Sequence, residues 1–252
     1  MNYFVIILLI LSQSIVVNIA VAQTKEDSIN QLDNKGLKQG FWRKYHDNGQ
    51  MRYEGFFIDD KPCKLFKYYY ESGKPKARLV YYNDNRSAAA HLYYEKDSIL
   101  MAVGLYYESK KDSLWKYYSS RGIFIADEFY RRGEKHGVSS TYFPNGNPSE
   151  QIGWNKDVKD GIWRQYFEDG KLKIAGTYVN GLLEGEIKYY SPYGKLTHEG
   201  KYVHSLRDST WVFYKDNGEV KLKKIYDNGK LLNRDELEDF ILIKEDDKIR
   251  KE

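Results

Sequence analysis

Five histidines, one cysteine and 36 aspartate and glutamate side chains are what this 252-residue chain offers for building a reactive centre. Their spacing builds none. His46, His91, His136, His198 and His204 fall at different phases of the 24-residue repeat described below, so stacking does not gather them into one column, whereas a transition-metal site needs three or four ligands that converge. The stretch HEGKY at His198 places Tyr202 where the second histidine of HExxH would stand,. Cys63 is single, which excludes an internal disulfide framework, a multi-cysteine zinc site and a CxxC redox pair,. The Gly-Lys dipeptides at Gly73, Gly170, Gly194 and Gly229 lack the upstream glycine and the following Ser or Thr of a phosphate-binding loop, and no GxSxG elbow occurs,. No spacing singles out a pair of carboxylates, so the charges read as solvating surface. The expectation is a chain without catalytic activity, metal or cofactor.

The aromatic residues, in contrast, are strictly ordered. They make up 16% of the chain, as 24 Tyr, 11 Phe and 5 Trp, and favour strands. Shifting the sequence on itself by 24 residues aligns Trp163 with Trp42, Phe66, His91, Trp115, Ser139, Ile187 and Trp211, with one step of 25 between Phe66 and His91. Three residues on, every copy carries tyrosine: Tyr45, Tyr69, Tyr94, Tyr118, Tyr142, Tyr166, Tyr190 and Tyr214. With tyrosine near a tenth of all residues, chance would give that column on the order of once in 10⁸ trials, so the period governs the fold.

Four residues after the tyrosine column comes a turn, with Asn48-Gly49, Asn145-Gly146, Asp169-Gly170 and Asn217-Gly218 able to take the positive φ of tight hairpins,. An aromatic column follows: Phe57, Tyr81, Tyr106, Tyr130, Trp154, Tyr178, Tyr202 and Tyr226. A second turn then closes each unit near Asp60, Asp84, Ser109, Gly133, Asp157, Gly181, Ser205 and Gly229. Each unit is therefore a β-hairpin. A lone hairpin is marginal in water, so the units must stack and bury their rings against neighbours. The tyrosine columns are expected to be that packing. Trp163 and Tyr166, three apart, fall on opposite faces of a regular strand, so both faces are used or a bulge realigns them.

The unit G-x-W-x-x-Y-x-x-[ND]-G-x-x-x-x-x-G-x-Y-x-x-G, clearest over residues 161–181, resembles the MORN repeat in the bacterial variant of the YwqK family. The resemblance covers about residues 40–231, and it implies an elongated sheet of antiparallel hairpins used for scaffolding, membrane-adjacent attachment or protein binding; some bacterial members are labelled antitoxins. The glycine of G-x-Y is kept at Gly55, Gly104, Gly176 and Gly200 but is Leu79, Glu128, Ile152 and Lys224 in the other copies.

The reading is thus an all-β fold, an elongated array of about eight antiparallel hairpins of period 24 forming a twisted open sheet over residues 39–231. Residues 1–22 read as a signal peptide with an apolar run and an A-x-A cleavage site at Ala20-Val21-Ala22, the rival being a retained membrane anchor,. No cysteine follows the run to carry a lipid. Residues 23–38 read as a polar linker. At the far end Asn233 and Glu236 resemble a capping box, and Leu237, Phe240 and Ile241 form an apolar stripe, so residues 235 to about 245 are expected to form a short capping helix within a charged tail, 232–252,.

Export places the mature chain in the periplasm, at the cell surface or outside. The charge is mixed, 40 Lys and Arg against 36 Asp and Glu, net +4, which argues against nucleic acid. Two functions are expected to compete: a protein-interaction scaffold, with an antitoxin- or immunity-type partner as a special case, and a cell-envelope glycan or wall-binding module, with a membrane surface as a further possible partner. A column two residues after Trp163 varies most among its aromatics, and Tyr68, Tyr93, Tyr117, Tyr189 and Phe213 are its candidate binding surface.

Overall fold

The computed structural model describes residues 29–83 and 85–232. Strands follow one another as β1 (Gln31–Leu32), β2 (Lys38–Tyr45), β3 (Met51–Ile58), β4 (Lys61–Tyr69), β5 (Pro75–Tyr82), β6 (Ser87–Tyr93), β7 (Leu100–Tyr107), β8 (Lys110–Tyr118), β9 (Phe124–Arg131) and β10 (Glu134–Tyr142). They continue as β11 (Pro148–Asn155), β12 (Val158–Tyr166), β13 (Leu172–Val179), β14 (Leu182–Leu183), β15 (Gly185–Tyr190), β16 (Leu196–Val203), β17 (Leu206–Tyr214), β18 (Val220–Asp227) and β19 (Lys230–Leu231). Each pairs antiparallel with the next in sequence, and β14 and β15 together make one broken strand beside β13. The result is an open meander, elongated along the stacking direction and not closed into a barrel.

Two details differ from the sequence reading. The described part of the expected linker already belongs to the array, because β1 pairs with β2 and Asn30 bridges the same edge, its N–H donating to the Phe41 carbonyl at 2.9 Å while its side chain accepts from the Arg43 N–H at 2.8 Å. The all-β array with a capping helix is corrected to strands alone: no helix occurs among the described residues, and the last hairpin ends in β19 folded back on β18. Residues 235–245, where the helix was expected, lie outside the described residues.

Two kinds of turn alternate. The Asn-Gly type is a three-residue loop in which the Gly49 N–H reaches the His46 carbonyl at 2.9 Å and only the glycine has positive φ, +82°. The turn between hairpins is a two-residue loop with both φ positive, as at Asp59 and Asp60 (50° and 62°) or Lys156 and Asp157 (51° and 64°), the geometry that matches strand twist. A further positive φ lies inside the first strand, two residues before the Trp163 column, at Gly40, Lys64, Ser113, Gly137, Gly161, Gly185 and Ser209. From the second copy on it marks a bulge in the pairing with the strand before,.

The third copy lacks that bulge, and β5 and β6 instead join through a four-residue loop between Tyr82 and Ser87. The two changes cancel. The extra residue of the 25-residue step therefore sits later, in the turn where the Ser98 N–H donates to the Tyr94 carbonyl and the Tyr94 N–H to the Ile99 carbonyl. Pairing puts Ala90 opposite Gly104 as Trp42 stands opposite Gly55, and Tyr93 opposite Leu100 as Tyr45 stands opposite Met51. Tyr93, not Tyr94, is thus the third member of the tyrosine column, and Leu92 takes the position assigned to Tyr93. Tyr94 matches Tyr70, whose hydroxyls donate to the Tyr118 and Tyr93 carbonyls at 2.9 and 2.8 Å.

The core lies on one face, here the ring face. Trp115 and Trp211 are fully buried, Phe66 and Ile187 nearly so, although the sheet is a single layer. Each large side chain lies across the glycine of the preceding strand: a Cβ added to Gly55, Gly104 or Gly200 would stand 2.3 Å from Phe66, Trp115 or Trp211. Where that glycine is Leu79 or Glu128, the facing residue is small, Ala90 or Ser139. Size is thus conserved across the pair of positions even when identity is not. Ile152 breaks the rule, and Trp163 beside it turns to donate to Glu150 at 3.0 Å, whereas Trp115 and Trp211 donate to the Leu105 and Lys201 carbonyls. Buried residues gather in two clusters, around Ala90, Trp115 and Tyr130, and around Ile187, Trp211 and Tyr226. Ser139 lies between them.

Candidate functional site

The tyrosine column answers the question of the two faces. Trp163 belongs to the ring face, while Tyr166 lies on the other with Arg164 and Gln151. Its hydroxyl donates to Gln151 at 2.7 Å, and Tyr69, Tyr142 and Tyr214 donate likewise to Glu54, Asp127 and Glu199, each fifteen residues earlier. These tyrosines are therefore hydrogen-bonded struts between neighbouring hairpins rather than buried packing; Tyr45, with only the two-residue β1 before its strand, is 51% exposed. Tyr118 and Tyr190 are half-buried, Tyr118 with its ring 5.7 Å from Phe124.

That opposite face carries a feature the sequence reading missed. The residue before each member of the Trp163 column, and its partner across the hairpin, form the pairs Phe41–Phe56, Leu65–Val80, Ala89–Leu105, Leu114–Phe129, Val138–Gly153 and Ile162–Thr177. Phe56, Val80, Leu114, Phe129, Val138 and Ile162 are between 36% and 44% exposed. In the last two copies the pairs become Glu186–Lys201 and Thr210–Ile225, so the apolar stripe runs over six copies and then ends. Its signal was readable at the same 24-residue interval. Beside the start of the stripe Glu54 meets Arg43 at 3.5 Å and Lys67 at 3.0 Å, and just past its end Glu199 meets Lys188 at 3.6 Å. Partial burial opposes ionisation of Glu54, but the bonds from Lys67 and Tyr69 prevail and hold it below the usual carboxylate range,.

The candidate column lies on the ring face and is occupied with packing. Tyr117 packs on the first buried cluster, Tyr189 and Phe213 on the second, and Tyr68 rests 5.5 Å from the Phe66 ring and 6.1 Å from Tyr53. Tyr93 stands apart, in the tyrosine column. His198 is sandwiched between Tyr189 at 4.1 Å and Phe213 at 5.4 Å; burial, then the charge of Arg207, lower its pKa.

A second missed column sits four residues before Trp163. Lys38, Lys111, Lys135, Lys159 and Arg207 each lie over the ring nineteen residues later, at 4.8 Å for Phe57, 5.0 Å for Tyr130, 4.9 Å for Trp154 and Tyr178, and 5.5 Å for Tyr226. These cations close the open side of the ring face. Around Glu128 they form a network: Lys135 and Tyr130 each reach its carboxylate at 2.6 Å, and Lys111 donates to the Tyr117 hydroxyl at 2.8 Å. Burial, then the bond to Glu128, pushes the Tyr130 phenol up to about 12. Glu128 itself stays below its ordinary value, because the bonds from Lys135 and the tyrosines outweigh its burial.

No group of three or more His, Cys, Asp or Glu that could hold a metal ion occurs among the described residues. The family model described as a MORN repeat variant matches residues 38–59, 63–84, 135–156 and 159–180. No curated protein matched. Among solved structures the chain is similar to TarM (13% identity, TM-score 0.28, 36% of this chain and 18% of that one). It is also similar to a GtfA/B complex (12%, 0.25, 42% and 18%) and to a Photorhabdus luminescens Tc holotoxin pore (12%, 0.22, 79% and 13%). The chain spans less than a fifth of each, and at these scores the likeness carries no argument.

Proposed function

Because the chain is a MORN-repeat protein, of an architecture associated with non-catalytic protein- or lipid-binding scaffolds, we propose that it is an exported scaffold that holds an elongated protein partner along the face opposite its rings. The observation that carries this reading is the apolar stripe of six hairpins, exposed and bordered by paired charges. Exposed contiguous apolar surface rimmed by polar groups is the usual mark of an interaction site. A stripe only two residues wide but about 55 Å long, at roughly 4.8 Å per strand, suits an extended segment rather than a compact domain. The ring face offers less, since its aromatic residues, the candidate column among them, are engaged with one another. The partner is met outside the cytoplasm once residues 1–22 are removed, and an immunity-type partner is a special case of the same geometry.

The test compares variants rather than a single capture. Mature protein, a Leu114→Lys/Phe129→Lys variant and a Lys44→Glu control are used as baits against a cell-envelope extract. A protein kept by the parent and the control but lost by the stripe variant supports the reading. Equal capture by all three, or retention of polysaccharide in place of protein, overturns it.

A further inference from the structure

The fifth copy leaves a gap in the row of rings. Where its neighbours place Trp115 and Trp163, it has Ser139, and a cavity of about 190 Å³ opens on the ring face among Glu128, Lys135, Ser139, Glu150, Ile152 and Trp154. Two polar atoms in that region are buried without a hydrogen-bond partner, the Ser139 hydroxyl and the Trp154 indole N–H. Buried polar groups of this kind are costly to the fold unless something meets them. The Glu150 carboxylate uses one oxygen for both Trp163 and Gln165, at 3.0 and 2.9 Å, and leaves the other open. Ile152 and Trp154 supply apolar wall, and Lys135 lies over one face of the Trp154 ring.

We propose that this gap is a binding site for one sugar ring of pyranose size. Size comes first: a cavity of roughly 150 Å³ accepts a benzene ring, so this one has room for a six-membered ring with its substituents. Polarity then chooses among rings. An aromatic side chain from a partner would fill the space but leave the indole N–H and the serine hydroxyl unmet. A pyranose presents hydroxyls that accept from Trp154, exchange with Ser139 and donate to the free Glu150 oxygen, while its C–H groups lie on Ile152 and the indole. The Glu128–Lys135 ion pair fixes the floor of the site without needing the ligand. This site is separate from the stripe, which lies on the other face, so it stands or falls independently of the protein partner.

The experiment follows the indole N–H resonance of Trp154, assigned with Trp154→Phe, while the full chain is titrated with a panel of methyl glycosides, the matching oligosaccharides, and toluene. A saturable shift at millimolar monosaccharide, absent with toluene, is expected. Glu150→Gln should weaken it by about tenfold, the cost of one charge-assisted bond, and Ser139→Leu, which fills the gap, should abolish it with the other indole signals unmoved. An oligosaccharide binding much more tightly than its monomer would show the ring as part of a chain, and equal affinity would show a free or terminal sugar; both support the site. A cavity that holds only water gives no shift with any sugar, and a partner's aromatic residue as the true occupant would let toluene shift the signal in place of the sugar. Each of these results overturns the proposal, as does a sugar response unchanged in Ser139→Leu.

Discussion

Gly104 shows how much of this fold rests on a missing side chain. A Cβ there would stand 2.3 Å from Trp115, so Gly104→Leu should cost about 2–3 kcal/mol through overpacking. Joining it with Trp115→Ala copies the natural Leu79 and Ala90 pair and should recover much of the loss, a coupling readable in a double-mutant cycle of urea melts; simple additivity would refute the size rule. Tyr166 behaves differently, since it is a hydrogen-bonded strut and not a core residue. Tyr166→Phe should cost about 1 kcal/mol, the worth of one bond, and a far larger loss in the same melts would mean that its ring is packed after all. His198 makes stability depend on pH. Its folded pKa is depressed, so the unfolded chain takes up the proton first, and stability present above about pH 6.5 is lost as pH falls below that value. Thermal melts at pH 7 and pH 5 should therefore show a smaller drop for His198→Phe than for the parent.

The hairpins obey rules that differ between their two turns. At Lys156 and Asp157 both residues hold positive φ without being glycine, a strained choice for L-residues. Replacing Lys156 with Gly relieves that strain while leaving the Asp157 carboxylate to accept the Lys135 N–H at 2.8 Å, and should stabilise the protein by about 0.5–1 kcal/mol; a melting temperature that fails to rise would contradict the assigned loop. Hairpin count, strand order and turn positions were legible because the aromatic period and the Asn-Gly signals are local and repeat. Which face each column occupies was not. The answer depends on a bulge whose marker, a residue of positive φ, is glycine in four copies but Lys64, Ser113 or Ser209 in others. The 25-residue step was misplaced for a related reason: an absent bulge and a longer loop cancel, and only strand pairing shows that Ala90, not His91, faces Gly104. The stripe and the cation column were written at the same interval, but aromatic columns drew the reading to themselves, and Ser139 passed as an exception when it marks the gap.

Seen whole, the molecule is one ribbon of strands with its two ends far apart. About sixteen long strands at 4.8 Å give a stacking length near 77 Å before twist shortens it, against a radius of gyration near 18 Å for a compact chain of this length. Scattering from the monomer should give a clearly larger radius with a skewed distance distribution, and a compact value would mean that the ribbon curls on itself. Sequential pairing also decides what happens under tension. A load applied to the two ends meets only one strand pair at a time, with the bonds of each ladder opening in succession, so the chain should peel at modest force and release about 70–80 Å per 24-residue unit. The copy holding Ser139 places no ring at that core position and lies between the two buried clusters, and the peeling front should jump there, which makes the fifth hairpin a mechanical fuse between two tougher halves.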